Sequence, residues 1–571
     1  MTAEAGSGRR VSGGESRQGD FRLLLAELTQ HLDQVRLYLG EPSVKAREEL
    51  RHKSAYISSL ALVVHQQNFD LEREDKLDDD RRRFHRGLSA IAGRLPRIAE
   101  LALNIVRQFG HLSQPSFLDD YDLDAFFDEI DLGLAMVRPA LEHRKLKLVE
   151  RLCRVEEALD ARYADRFARL IREMEEGLGR PGDRVTALMI VHYLERIGDL
   201  ILEIGEEILF IILGERLSYP QYQALEAGFK ASGRGGRPAA APGDFRSIWS
   251  GRSGCRIGVV RGGELGLAGA EERGFLGQEP VLFKHGPSAK LEKERENLEI
   301  WSRLWPGLPP AALAYVPAEG DGEAALVLEY IRGATLKDMF LQNPGAEALR
   351  ELTGALHLAA GLWRETRLEE ECRADFVRQG EKRLGPIQAL YPDLVNFSAA
   401  VGDLEIKSFS ALLKAARPYE AALPAPFTVR VHGDFNLSNI MRDEKNGSYR
   451  FIDLYRSRLS DYVQDLSVMI LSILRLPLTG AAARLELSRA ARLVYTFGLD
   501  FASQNHDPGL EARLAFGLAR SFLTSARFEA RRGTAARFLA HSRYLWEKIL
   551  DYGRTGRPWT AFKPGLRVLY F

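Results

Sequence analysis

An abrupt change of hydrophobic period constrains this chain more than any other feature. Between about Asp20 and Gly228, apolar residues recur at three- and four-residue steps with charges opposite, as in Phe21-Arg22-Leu23-Leu24-Leu25-Ala26-Glu27-Leu28 and Phe167-Ala168-Arg169-Leu170-Ile171-Arg172-Glu173-Met174. Pro and Gly are sparse there, so the stretch predicts an all-α bundle with breaks near Gly40-Glu41-Pro42, Gly110 to Pro115 and Gly177 to Asp183. Beyond residue 244 short apolar runs bounded by Gly and Pro take over, among them Arg256-Ile257-Gly258-Val259-Val260-Arg261 and Val281-Leu282-Phe283-Lys284. Between the two regimes lie Gly233, Gly235, Gly236, Pro238, Pro242 and Gly243 amid Ala, Ser and Arg, a composition that cannot bury a core and predicts a linker. The expected organisation is a disordered tail over 1–19, a helical domain over 20–228, a linker over 229–244 and a mixed α+β domain over 245–571.

Composition excludes several classes. With 571 residues and 45% hydrophobic content the chain can build large cores. Lys+Arg and Asp+Glu stand at 79 each, so no overall field draws it to nucleic acid or a membrane surface. Cys153, Cys255 and Cys372 are far apart with no ligand spacing, which fits a reducing, cytoplasmic setting without disulfides or a zinc site. The Gly-, Ser-, Glu- and Arg-rich start lacks the apolar core of a signal peptide. The apolar run Ile208-Leu209-Phe210-Ile211-Ile212-Leu213 is too short to span a bilayer.

The helical half repeats itself. Leu95-Pro96-Arg97-Ile98-Ala99-Glu100-Leu101-Ala102-Leu103-Asn104-Ile105 aligns with Leu194-Glu195-Arg196-Ile197-Gly198-Asp199-Leu200-Ile201-Leu202-Glu203-Ile204, which predicts two copies of about three helices each. Glu195 and Asp199 lie one helical turn apart on one side, where they repel unless a cation or an arginine such as Arg196 neutralises them. A metal site and a solvated charged face both answer to that spacing. The acidic run from Glu72 to Asp80 reads as a helix end dense with mixed charge. The Leu-Glu-Arg-Ile-Gly-Asp string resembles the signature helix of the PhoU phosphate-uptake regulators. That resemblance implies tandem three-helix bundles, metal ligation by Glu195 and Asp199, with Glu203 and Glu206 further along, and a surface for a homodimer or a signalling partner.

The chemistry lies in the second half. Val431-His432-Gly433-Asp434-Phe435-Asn436-Leu437-Ser438-Asn439-Ile440 is followed by Phe451-Ile452-Asp453, with apolar strand-like runs before and between. H-x-D-x-x-x-x-N is the spacing of a phosphotransfer loop, in which the Asp accepts a hydroxyl proton and the Asn reaches a metal. A second acid at the end of the next strand supplies the anionic ligand that Mg2+ needs to hold ATP phosphates. Asp434 is thus the candidate base, and Asn439 and Asp453 the Mg2+ ligands. Together with Asp461 and Asp465 the run resembles the aminoglycoside phosphotransferase and choline kinase family, relatives of protein kinases, over roughly 245–571. The resemblance implies a bilobal kinase-like fold with lobes over 245–332 and 333–571.

Other positions follow from that resemblance. A Lys closing a buried strand needs anions to meet its ammonium, and Lys284 corresponds to the lysine that contacts the α- and β-phosphates. Glu296 in the next helix fits the register of its partner, with Glu292 and Glu294 as alternatives. Ala325 to Leu336 resembles the interlobe hinge, where backbone groups at Glu329 and Ile331 would meet the base; ATP and GTP are not distinguished. Ser250-Gly251-Arg252-Ser253-Gly254 stands where a phosphate-covering loop belongs, and residues 262–277 read as an exposed insertion. Asp461 is expected to cap the following helix and brace the loop, and Asp465 to serve the same structural role. One departure is visible: Leu454-Tyr455-Arg456 replaces the usual Phe or Trp followed by Gly, removing a residue that adopts positive φ easily.

The function expected is transfer of ATP's γ-phosphoryl group to the hydroxyl of a small molecule. Against it stands a regulatory protein of phosphate homeostasis whose kinase-shaped module binds nucleotide without turnover.

Overall fold

A computed structural model describes residues 13–73, 77–232, 237–238, 245–248, 254–260, 262–263, 279–317, 322–402 and 404–570. It divides into two compact units, residues 1–287 with 313–327, and residues 288–312 with 328–571.

The first unit begins with α1 (Gly13–Gly40), α2 (Val44–Glu72), α3 (Asp79–Ala92) and α4 (Leu95–Phe109), followed by α5 (Leu123–His143), α6 (Leu146–Glu175), α7 (Pro181–Leu213) and α8 (Tyr219–Ala231). Helices α1, α2 and α4 pack on one another, α5, α6 and α7 do the same, and α4 lies against α7. This is the duplicated bundle that the repeat predicts, its two matching segments falling on α4 and α7. The copies differ where Pro96 enters the first turn of α4: the third helix of the first copy is split into α3 and α4, because a proline ring cannot continue a helix through its own missing N–H. The three expected breaks appear. Further breaks follow α2, α5 and α7; at Arg144 the chain turns through φ 48°, for which this non-glycine residue gives no sequence signal. Asp78 caps α3 through the Arg81 amide, while residues 74–76 of the acidic run lie outside the described residues.

Glycines let α6 and α7 approach closely. A Cβ at Gly205 would lie 2.4 Å from the Cys153 sulfur, and one at Gly198 would lie 2.8 Å from Leu159. The signature string therefore has a packing role independent of its charges.

The same unit carries a five-stranded sheet in the order 245–247, 256–260, 281–287, 323–329, 312–317. Its first three strands are antiparallel neighbours. Tyr222, Leu225 and Phe229 of α8 share one buried core with Phe245, Phe283 and Val327 of the sheet and with the bundle. Helix α8 reaches the sheet because Gly228 has no side chain: a Cβ there would meet Val327 at 2.7 Å. The buried core thus runs past the boundary at 228 that the composition predicts. Residues 233–236 and 239–244 of the expected linker, 250–253 of the expected phosphate-covering loop and 264–277 of the expected insertion lie outside the described residues.

In the second unit a helix, Ser288–Leu304, precedes the hinge-like segment, and helices Leu336–Gln342, Ala346–Glu365, Phe376–Leu390 and Phe409–Ala421 follow it. Between the last two of these lie a short helix, Pro392–Val395, and a two-stranded hairpin, Ala399–Val401 with Leu404–Ile406. Three strands run in the order 449–451, 440–443, 333–335, and Val429–Val431 pairs antiparallel with Arg458–Ser460. Helices Val463–Leu474, Ala481–Gln504, Leu510–Ser525 and Arg532–Arg554 complete the unit. Among the described residues no helix is long and apolar enough to cross a membrane.

Candidate active site

The strand Val429–Val431 delivers the chain into His432-Gly433-Asp434, and its pairing with Arg458–Ser460 holds the entry still. Gly433 is a glycine of necessity, with φ 82° and a position where a Cβ would come within 2.2 Å of the Arg456 carbonyl. His432 is buried at 1% exposure, with Nε2 3.1 Å from the Ile452 carbonyl and Nδ1 accepting from the Asp434 amide at 3.4 Å. The neutral Nε2–H tautomer satisfies both contacts, and burial lowers the pKa of the ring against the opposing pull of Asp434 and Asp453. Both carboxylates therefore lie near one uncharged imidazole, which couples the segment before Asp453 to the one that carries Asp434.

Asp465 braces this loop. Its two carboxylate oxygens accept from the His432 and Gly433 amides, each at 2.8 Å, and complete burial pushes its pKa up to about 7. The N-cap of the helix is Tyr462 rather than Asp461; Asp461 accepts from Val463 N at 3.0 Å in the turn that enters the helix, its other oxygen is held by Arg513 at 2.7 Å, and Arg513 also clasps Asp507. The loop-bracing role expected of Asp461 belongs to Asp465. Asp461 instead belongs to a buried ion-pair network that also takes in the Tyr462 hydroxyl.

Asn439 is 7% exposed and donates Nδ2 to the Asp434 carbonyl at 3.0 Å, while its own carbonyl accepts from Ile452 N at 3.0 Å. With its nitrogen so used, the amide keeps its oxygen as the atom able to ligate a cation. Asp453 itself takes the left-handed conformation, φ 61° and ψ 54°, and Leu454–Arg456 form a 3-10 turn after it. None of those three residues has positive φ, so the absent glycine is not needed. The turn is fixed by residues that the sequence did not single out. Asn297 donates to the Leu454 carbonyl at 2.8 Å and the Tyr455 carbonyl at 3.3 Å; Trp301 donates to Ser457 Oγ at 2.7 Å, and that hydroxyl donates to the Val431 carbonyl at 2.8 Å. Arg456 of the same turn places Nη1 3.2 Å from Asp434 Oδ2.

The remaining predicted residues fare unequally. Lys284 is 5% exposed and lies opposite Ile257 in the ladder, within a strand that continues to Pro287. Glu296 is not a buried partner for anything: half exposed, it pairs with Lys293 on its own helix at 2.9 Å, while the alternative Glu294 is buried at 1% exposure. Glu329 uses its amide on the Ala311 carbonyl at 2.9 Å and its carboxylate on Arg450 at 2.6 Å, and the Ile331 side chain is buried.

In the bundle, Glu195 lies 3.1 Å from His192 and Asp199 lies 2.5 Å from Arg196. Burial, reinforced by neighbouring carboxylates, raises the pKa of both and that of Glu156, the last to about 7. Glu203 meets Arg94 at 2.8 Å, and Glu206 accepts from the Tyr219 amide at 2.9 Å. Among the described residues no group of three or more His, Cys, Asp and Glu is arranged to hold a metal ion. At Asp199 the cation in place is the Arg196 guanidinium.

Two family models match the chain: the PhoU domain over residues 125–208, and the phosphotransferase enzyme family over residues 269–500. A PhoU-like domain is joined to a phosphotransferase-family domain. No curated protein matches the chain. Among solved structures, the phosphate transport system regulatory protein PhoU from Streptococcus pneumoniae is 17% identical, covering 36% of this chain and 96% of its own, with a TM-score of 0.33. An aminoglycoside phosphotransferase from Streptomyces rimosus, solved with ADP and streptomycin, is 18% identical over 49% of this chain and 94% of its own, with a TM-score of 0.30. A putative fructosamine-3-kinase from Haemophilus somnus is 11% identical over 57% of this chain and 96% of its own, with a TM-score of 0.35. The phosphotransferase-family match takes in His432, Asp434, Asn439, Asp453 and Asp465, and the PhoU match takes in Glu195 and Asp199.

Proposed function

We propose that the phosphotransferase-family domain transfers the γ-phosphoryl group of ATP to the hydroxyl of a small molecule, with Mg2+ as cofactor. The observation that carries this reading is the tie between Asp434, Asn439 and the segment ending at Asp453, made through neutral His432 and the Asn439 amide and braced by Asp465. In such a step a bond forms between the hydroxyl oxygen and the γ-phosphorus, the bond to the β-phosphate oxygen breaks, and the hydroxyl proton passes to Asp434. The bound cation would neutralise the triphosphate; Asn439 Oδ1 and the Asp453 carboxylate are the oxygen donors suited to hold it. Lys284 is assigned to the remaining phosphates, and the backbone around Glu329 and Ile331 to the base. With the Glu329 amide engaged by Ala311, the donor in that segment is assigned to Ile331. Free cysteines suit a reducing, cytoplasmic setting. The PhoU-like domain is read as a sensor of phosphate that acts on this activity.

Rate enhancement here rests on positioning and charge neutralisation, so the base can be removed without emptying the nucleotide site. Asp434→Asn is expected to lower phosphoryl transfer by on the order of 10²–10⁴-fold while the affinity for Mg-ATP, measured by calorimetry, stays within about twofold. Equal loss of both would refute the role given to Asp434.

A second reading draws on Arg456, whose guanidinium lies on Asp434: a module that binds nucleotide and signals without turnover. Magnesium-dependent ATP consumption by the full chain, lost in Asp434→Asn, decides against it.

A further inference from the structure

Two arginines reach the loop that carries Asp434. Arg456 touches Asp434 directly. Arg520 is 7% exposed and donates Nη2 to Gln464 Oε1 at 3.1 Å and to Ser467 Oγ at 3.3 Å; the Gln464 amide donates in turn to the Gly433 carbonyl at 3.2 Å. One side chain thus separates Arg520 from the backbone next to Asp434. Its guanidinium lies over Phe376 at 5.2 Å, and its Nε, fully enclosed, has no hydrogen-bond acceptor. Arg527 repeats the pattern, with the guanidinium 4.2 Å over Phe528 and an enclosed Nε without an acceptor.

The charges around them do not balance. Burial lowers the pKa of Arg520 to about 9, reinforced by Arg456 and Arg458, with Asp434 and Glu420 opposing. The pKa of Arg527 is lowered by burial and then by Arg383 and Arg456. Arg456 thus bears on both, with Arg458 acting on Arg520 and Arg383 on Arg527. Of the two acids opposing them at Arg520, Asp434 is engaged by Arg456, and Glu420 is engaged by the Phe376 and Val377 amides at the start of the helix Phe376–Leu390. A buried guanidinium with an idle donor is costly unless an anion meets it, and the geometry of a guanidinium fork suits a phosphate or carboxylate.

We infer that the molecule taken up beside Asp434 is an anion, a hydroxyl compound that already carries a phosphate or a carboxylate, held by Arg520 and Arg527. This rests on the phosphotransferase reading and narrows its substrate class. It also gives Arg456 a use. An anion bound among these side chains draws Arg456 away from Asp434, so the base is released when the acceptor arrives. The reaction class that supplies such a substrate is an earlier phosphorylation or oxidation of a polyol or sugar.

The test uses the full chain with Mg-AMP-PNP present, so that nucleotide phosphates do not compete for the probes. Ribose, ribose 5-phosphate, glycerate and glucosamine are titrated calorimetrically against the wild type, Arg527→Gln and Arg520→Gln. At least one of the two anions is expected to bind at least tenfold more tightly than ribose or glucosamine. Arg527→Gln is expected to weaken it tenfold or more while leaving Mg-AMP-PNP affinity unchanged; Arg527 is the more exposed of the two, so this variant stands even where Arg520→Gln does not fold. Equal or tighter binding of the neutral or cationic compound, no binding of either anion, or binding indifferent to Arg527 would overturn the inference. Arginine-dependent binding of an anion that Mg-ATP then fails to phosphorylate would instead sustain the anion site and count against the phosphotransferase reading.

Discussion

At the scale of single residues, what depends on spacing could be read from the sequence and what depends on contact could not. Asp434, Asn439 and Asp453 stand out because the phosphotransfer-loop pattern sets their order and separation, and the structure ties Asp434, Asn439 and the segment ending at Asp453 through His432 and the Asn439 amide. Asp465 and Asp461 are both acids near a helix start, and their sequence position suggests one role for both; only their distant partners, the His432 and Gly433 amides for one and Arg513 for the other, separate them. Asn297 and Trp301 act across more than 150 residues of chain, and no local pattern marks them. Buried titratable groups are similarly silent until packing is known. His31 is fully buried in α1 with Nε2 3.2 Å from the Ala99 carbonyl, and burial lowers its pKa from 6.5 to about 4. The folded chain refuses a proton that the unfolded chain accepts, so its contribution is intact above pH 6.5 and drains away as the pH falls towards 4. The loss by the lower limit is roughly 3 kcal/mol. Denaturant unfolding of the wild type and His31→Met across this range should show a shallower pH slope in the variant. Parallel slopes would show that another group governs the acid response.

At the scale of elements, helical periodicity and the repeat gave the bundle its helices and its duplication, and the strand signals gave Val281–Pro287 and Arg256–Val260. The missed breaks differ in cause: Arg144 turns the chain without Gly, Pro or Asn to announce it, whereas α7 ends on Gly214 at φ 80°, a signal the sequence does carry. Charge patterning leaves Glu195 and Asp199 open between a metal and an arginine, since one spacing serves both; in the structure Arg196 pairs with Asp199. What the signature string does contribute is closeness. Gly205→Val would force methyl groups against Cys153 and Leu152, where even a Cβ lies at 2.4 Å and 2.8 Å. The expected penalty is about 1–3 kcal/mol, as for other overpacked cores. Thermal unfolding of Gly205→Val beside Gly205→Ala measures it: the valine should lower the midpoint more, and equal midpoints would mean the seam relaxes freely.

At the scale of the whole molecule, composition alone sets the boundary at the Gly- and Pro-rich stretch, whereas the buried core sets it elsewhere. Helix α8 precedes that stretch yet shares a core with the sheet that follows it, through Tyr222, Leu225 and Phe229. A fragment starting at residue 245 would therefore leave Val327 and its neighbours facing water. It should aggregate or unfold at a lower temperature than a fragment starting at residue 217, which keeps α8; light scattering and thermal melts of the two compare them directly. Equal solubility and equal midpoints would show that α8 is dispensable to the sheet.

The chain also passes between its two compact units at 287–288, 312–313 and 327–328. During synthesis the ribosome must release the strand that sits between 281–287 and 312–317 before the sheet can close, and that strand ends at Glu329. At about 5–20 residues per second, the nascent first unit waits several seconds after its helices have emerged, with an open strand edge. In that interval the exposed edge is open to pairing with other chains.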